Sequence, residues 1–186
     1  MQKNLKIYFV TSNDRKVGEA KLGCEPYGIE VIKKPVDIEE IQSHIPKDVS
    51  INKAKQAFAQ LQKPLVVTDT FWSIPTLKGF PGPYMKDIAN WFTEDDFIAL
   101  LKDKTDRTVI FSENITYIDK NEIRSFSKEF KGSFAHQPRG VGNSIENVAE
   151  FDGVTLGERR EQGGFSHSAD DYVWVDFAKW YKNKQK

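Results

Sequence analysis

The chain has 186 residues, enough for one substantial core and too few for two independent domains, so a single domain over 1–186 is expected. Lys+Arg and Asp+Glu both number 27, which excludes a global charge that would draw the protein to nucleic acid or to an anionic membrane; an anionic ligand must be held by local groups. The single cysteine, Cys24, excludes an internal disulfide and a Cys-based zinc site, and reads as a buried free thiol in a reducing compartment.

In chain order, Leu5 to Val10 reads as a first strand, with an apolar run from Ile7 too short for a signal-peptide core. No stretch has the length of a membrane-spanning helix, and a cytoplasmic protein is expected. Thr11-Ser12-Asn13-Asp14 is a cluster of turn and capping residues, and Arg15 to Cys24 reads as a helix. A helix start presents unpaired N–H groups and partial positive charge, and Lys16 stands in the first turn, so this turn can cradle phosphate; it lacks the glycines of a Walker loop. Ile29 to Ile32 suggests a second strand. The acidic segment Asp37 to Gln42 is either a solvated face or the source of one metal-binding carboxylate.

Ser50 reads as the cap of a helix from Ile51 to about Gln62, which would put Lys53 in the first turn. A cation gains nothing there from the helix dipole, so Lys53 is either solvated or paired with an anion. Leu65 to Thr68 reads as a buried strand ending at Asp69. Ligands of open α/β sheets bind beyond the carboxyl ends of the strands, so Asp69 is either a turn residue or a catalytic or metal-binding carboxylate. Phe71 and Trp72 are core residues or a platform for a base.

After the rigid loop Gly79 to Tyr84, helices are expected over Pro83–Phe92 and Thr93–Lys102, the second with a near capping box at Thr93 and Asp96. Alternation over Arg107–Ile118 and Ile123–Phe134, split by Asp119-Lys120-Asn121-Glu122, reads as a long antiparallel hairpin and hence a mixed sheet. The segment from Arg139 to Phe165 carries no clear element signal. A final helix is expected from Ala169 to about Lys182.

Several of these landmarks together resemble one family. Thr11-Ser12-Asn13 with Lys16 is similar to the T-G-N-x-x-K loop of the inosine/xanthosine triphosphate pyrophosphatases. Asp37 to Gln42 resembles that family's D-x-P-E-x-Q segment, and Ser50-Ile51-Asn52-Lys53-Ala54 its helix start. Val67-Thr68-Asp69-Thr70, Gly82-Pro83-Tyr84, Pro138-Arg139-Gly140 and Ser166-His167 follow in the family's order, so the resemblance covers nearly the whole chain.

The resemblance implies an elongated α/β fold, with a long mixed central sheet flanked by helices and a nucleotide cleft between two lobes. It implies Mg²⁺-dependent hydrolysis of a non-standard purine nucleoside triphosphate to monophosphate and pyrophosphate, by a protein that is commonly a homodimer. Carried over residue by residue, Thr11, Ser12, Asn13, Lys16 and Thr70 would hold the triphosphate and Lys53 would neutralise it. Glu40 and Asp69 would bind the metal, with Asp69, Lys16 and Lys53 serving catalysis; Arg139, Ser166 and His167 would contact substrate, though His167 also suits a helix cap.

The physical logic agrees. A triphosphate carries about four negative charges, so carboxylates approach it only through a hard cation, while lysines supply the remaining positive charge.

The chain departs from the pattern in three places. Thr68 replaces the acid that usually precedes the key Asp, the F-G-x-D-P motif is absent from Val141 to Glu146, and Ser168 stands where the family has Arg, the Lys before it also being gone. The lost Lys and Arg are base-contacting donors, so an altered or relaxed base preference, or a weakened nucleotide-binding relative, is expected alongside the enzymatic reading.

Overall fold

Period-two alternation builds the first strand, β1 (Leu5–Phe9), in the computed structural model, which describes residues 5–43, 45–163 and 172–185. It is followed by α1 (Asp14–Cys24), β2 (Ile29–Lys33), α2 (Pro46–Leu61) and β3 (Leu65–Ile74). Then come β4 (Phe80–Gly82), α3 (Met85–Trp91), α4 (Glu94–Leu100), β5 (Thr108–Ile118) and β6 (Ile123–Phe134). The chain ends with β7 (Ala149–Phe151), β8 (Val154–Thr155), α5 (Leu156–Glu161) and α6 (Val173–Lys184).

Among the described residues the eight strands form one sheet in the order β2-β1-β3-β5-β6-β7-β8, with β4 paired to β3. The pairs β1–β2 and β1–β3 are parallel, while β3–β4, β6–β7 and β7–β8 are antiparallel, giving the mixed sheet that the sequence implies.

The chain folds as two compact units. The first comprises Met1–Asp69, Glu113–Lys128 and Ser168–Lys186; its part of the sheet is covered on both faces, as the alternation along β3 shows. Val66 packs with Ile7, Phe9, Ile115 and Tyr117 against α1 and α6, whereas Leu65 and Val67 pack with Ala54 and Ala57 of α2. Alternation continued along β3 turns Thr68 toward the α1 side and Asp69 toward α2. Gly23 lets α1 and α6 approach, since a Cβ there would stand 2.5 Å from Trp174 Cβ. Tyr181 of α6 donates to the Lys6 carbonyl at 2.9 Å, and Lys184 pairs with Asp119 at 2.9 Å in the turn between β5 and β6. Cys24 is fully buried, and burial pushes its thiol up to about 12, so it packs as an inert apolar group. The second unit, Thr70–Ser112 with Glu129–His167, has its own aromatic core around Trp72, Phe97, Phe111, Phe134 and Phe151.

Two expectations are corrected, and the alternative left open at Phe71 and Trp72 is resolved. Helix α2 begins at Pro46, a residue suited to the first turn, and Ser50 lies inside it, its hydroxyl 2.8 Å from Thr116 Oγ1 rather than capping. Lys53 is therefore well past the first turn. Strand β3 runs on to Ile74 because its far end pairs with β4, so Asp69 lies within the strand, not beyond it. Phe71 and Trp72 are buried, Trp72 with its ring centroid 4.7 Å from that of Phe111; both are core residues. The helices at Asp14 and Glu94, the latter with its Thr93–Asp96 capping box, stand within a residue or two of expectation. In the segment from Arg139, β7, β8 and α5 escaped the sequence because each is very short. The final helix begins at Val173, and the expected start at Ala169 lies outside the described residues.

Phe177 is fully buried among Tyr117, Trp174 and Tyr181, so Phe177→Ala is expected to cost about 3–5 kcal/mol of stability in urea unfolding. A loss below about 1 kcal/mol would mean that this ring does not fill the core as described.

Candidate active site

The turn after β1 is shaped by its own polar side chains. Thr11 Oγ1 accepts from the Asn13 amide at 3.1 Å, and Asn13 caps α1 by accepting from the amides of Arg15 (3.0 Å) and Lys16 (3.4 Å). Ser12 and Asn13 are exposed, while Lys16 is half-buried against the first unit. Burial lowers the Lys16 pKa; Asp69 opposes this, and the charges of Lys53 and Arg15 add to it. Lys16, Asp69 and Lys53 thus act within one electrostatic neighbourhood.

The acidic segment has no regular secondary structure, yet it is fixed to α2 by side-chain amides. Gln56 donates to the Glu39 carbonyl (2.7 Å) and accepts from the Glu39 amide (3.1 Å), while Gln60 donates to the Asp37 carbonyl (2.8 Å). This two-way clamp places Glu40 beside the same helix that carries Lys53. The Lys53 ammonium is 2.6 Å from Glu40 Oε1 and 2.7 Å from Asp69 Oδ1. The Lys53 and Asp69 side chains are only 16% and 14% exposed, against 50% for Glu40. Burial alone would lower the Lys53 pKa, but Asp69 and then Glu40 outweigh it, and the pKa is raised. The anionic partner that the sequence left open is therefore double.

Asp69 Oδ2 is buried without a hydrogen-bond partner among the described residues. An ionised carboxylate oxygen in that condition is costly, and it is the donor type that a hard divalent cation selects. Glu40 adds a second such group. No cluster of three or more His, Cys, Asp or Glu side chains is found among the described residues, so any metal here would be held by these two carboxylates with oxygens from substrate or water.

Thr11, Ser12, Asn13, Lys16, Glu40, Lys53 and Asp69 all belong to the first unit. Thr70, which continues β3, and Arg139 belong to the second. The Arg139 guanidinium is shared between Glu150 (2.8 Å) and Glu158 (3.0 Å), and lines a cavity of about 320 Å³ with Arg107, Phe134 and His136. Ser166 and His167 lie outside the described residues. The segment where the base-pocket motif is missing is internally bonded: Glu146 pairs with Arg160, and Asn147 donates to Glu94 at 2.8 Å.

One group escaped sequence reasoning. Glu113 occupies the position in β5 between Phe111 and Ile115 where the inward alternation calls for an apolar residue, and that interruption was its only signal. It is 7% exposed, and its Oε2 has no partner among the described residues. Burial, then the neighbouring Glu19 carboxylate, push its pKa up to about 7. Glu19 of α1 is itself buried, 2.8 Å from Arg15.

A mixed α/β sheet carrying a capped helix start, two lysines and two carboxylates in one unit has the parts of an anion-handling α/β protein. Residues 7–163 match the Ham1 family, and the chain belongs to it. It is 29% identical over 183 residues to the dITP/XTP pyrophosphatase of Methanopyrus kandleri, covering 96% of this chain and 97% of that protein. It is 36% identical over 160 residues to the inosine triphosphate pyrophosphatase of Tuber melanosporum, covering 82% and 83%. Its fold is similar to that of a HAM1 protein from Coxiella burnetii, with a TM-score of 0.80 at 21% identity over 96% of this chain and 99% of that one.

Because the Glu113 pKa is raised from 4.5 to about 7 on folding, the folded state holds the proton more tightly, and stability is lost as pH rises through that window. At about 1.4 kcal/mol per pH unit the loss reaches about 3 kcal/mol above pH 7. Glu113→Gln, which cannot ionise, is expected to be more stable than the parent by about that amount at pH 8 and nearly equal to it at pH 4.5, as read by urea unfolding at both pH values. A pH-independent difference would contradict the burial of an ionisable carboxyl at this position.

Proposed function

We propose that the chain hydrolyses nucleoside triphosphates between the α and β phosphates, releasing a nucleoside monophosphate and pyrophosphate, and that its substrates are inosine- or xanthosine-type nucleotides. The observation that carries this reading is the part-buried Lys53 ammonium shared by Glu40 and Asp69, with Lys16 in the same electrostatic neighbourhood. Membership of the Ham1 family and the pyrophosphatase relatives support it.

Thr11, Ser12, Asn13 and the first amides of α1 bind phosphate oxygens, using the exposed face of the cap. Lys16 neutralises phosphate charge there. Burial depresses its pKa, and the negative charge of a polyphosphate would stabilise its ammonium form. Thr70, next in β3 after Asp69, adds a hydroxyl.

Glu40 and Asp69 would hold Mg²⁺, a hard cation whose preference for oxygen ligands fits the two carboxylates and the unpartnered Asp69 Oδ2. A metal held there would supply positive charge to offset that developing on the phosphoryl oxygens and would acidify water. Lys53 keeps the two carboxylates together through its shared ammonium and turns that charge toward phosphate when substrate enters. Asp69 orients the attacking water and accepts its proton.

A second reading, a nucleotide binder with weakened turnover, is favoured by Thr68, which brings a neutral hydroxyl where the family has an acid, and by the absence of the base-pocket motif. The two readings separate on a panel of NTPs and dNTPs with Mg²⁺ and pyrophosphate detection. Turnover of inosine or xanthosine nucleotides is expected, with Asp69→Asn lowering kcat by about 10²–10⁴-fold while the fold is retained. Binding without pyrophosphate release across the whole panel would sink the enzymatic reading.

A further inference from the structure

We propose that Glu113 is a positioning residue for the phosphate-gripping end of α1, taking up a proton from solvent on its unpartnered oxygen as a polyphosphate binds. The inference rests on the reading that Lys16 grips polyphosphate, and it adds a group that the site as described does not use.

Strand alternation puts Glu113 on the same side of the sheet as Ile115 and Tyr117, the side that α1 covers. The side chain is 7% exposed, and Oε2 meets no donor among the described residues, so that oxygen of the ionised form has no hydrogen bond to stabilise it. The charged groups acting on it among the described residues are Glu19, Arg15 and Lys16 from α1 and Lys128 from β6. Arg15 is engaged by Glu19 at 2.8 Å, and Lys16 belongs to the turn that receives phosphate. Glu113 is therefore balanced between a repelling carboxylate and cations with other commitments.

A polyphosphate arriving at Lys16 draws on the cation that helps hold Glu113 ionised, and brings several negative charges to the same helix end. Both effects favour the protonated carboxyl. The proton binds Oε2, no bond in the ligand changes, and the helix end gains one unit of net positive charge to match the incoming anion. The sign follows from linkage: the bound state holds the proton more tightly, so affinity is greatest at low pH and falls as pH rises through the pKa of about 7 that Glu113 has in the free protein.

The test is calorimetric titration of the full chain with inorganic tripolyphosphate, in buffers of different ionisation heat, for the parent and Glu113→Gln. Subtracting the two proton counts removes the ligand's own titration. The parent is expected to take up more protons near pH 7 than the variant. The variant, permanently neutral at 113, is expected to bind more tightly than the parent at pH 8, by up to about tenfold per pH unit above the free pKa, and equally at pH 5.5.

Equal proton counts, or weaker binding by the variant throughout, would overturn the inference while leaving the phosphate reading intact. Failure of tripolyphosphate to bind the parent overturns both. Carbon-13 NMR of the Glu113 carboxyl in the parent needs no variant: its midpoint should lie near neutral pH and move upward with tripolyphosphate, and an unmoved midpoint overturns the proposal.

Discussion

An ammonium held between two carboxylates with little access to water is stable only if the chain brings all three groups together and keeps them there. At Lys53 that condition is met from three separate directions. Helix α2 supplies the lysine, an irregular segment supplies Glu40, and strand β3 supplies Asp69. The Coulombic attraction between them is strengthened by burial, and burial is also what makes Lys53 and Asp69 expensive without partners. Much of the surrounding structure serves that constraint: Ala54 and Ala57 seat α2 closely on the sheet, Ser50 bonds Thr116, and Gln56 and Gln60 hold the acidic segment against the helix. A ligand that replaces Lys53 as partner of the carboxylates, or the carboxylates as partners of Lys53, exchanges one set of charge interactions for another without exposing a bare buried charge.

The two faces of the same sheet carry different electrostatic tasks. Toward α2 lies the Lys53 triad, in which one ammonium pairs with two carboxylates. Toward α1 lies Glu113, a carboxyl with an unsatisfied oxygen beside Glu19 and three cations. Period-two geometry enforces this division, since adjacent residues of a strand cannot share a face. On the α1 side β3 contributes the neutral Thr68, and the buried carboxyl comes instead from β5, its neighbour in the sheet.

Residue type and periodicity made much of this legible. The strand, polar turn and helix at the start follow from Ile7 and Phe9 alternating inward and from Asn13, whose short amide caps a helix better than it continues one. The hairpin strands of β5 and β6 follow from alternation, and the Thr93–Asp96 box from its spacing. What failed did so for local reasons. Ser50 is a good cap on propensity, but its hydroxyl is taken by Thr116, and Pro46 starts the helix earlier. Asp69 looked like a strand end because β4, which pairs with the far end of its strand, is three residues long and carries a proline and a glycine.

The sequence by itself determined which chemistry was available: two lysines, two carboxylates, a capping turn and a mixed α/β order, all properties of residue type and near-neighbour spacing. Tertiary structure alone decided that Lys53 is bonded to both carboxylates at once, that Arg139 is committed to Glu150 and Glu158, and that Glu113 is buried without a partner for Oε2. Hydrogen bonding and desolvation depend on groups more than ten residues away along the chain, and a one-dimensional pattern records only the periodicity of each element.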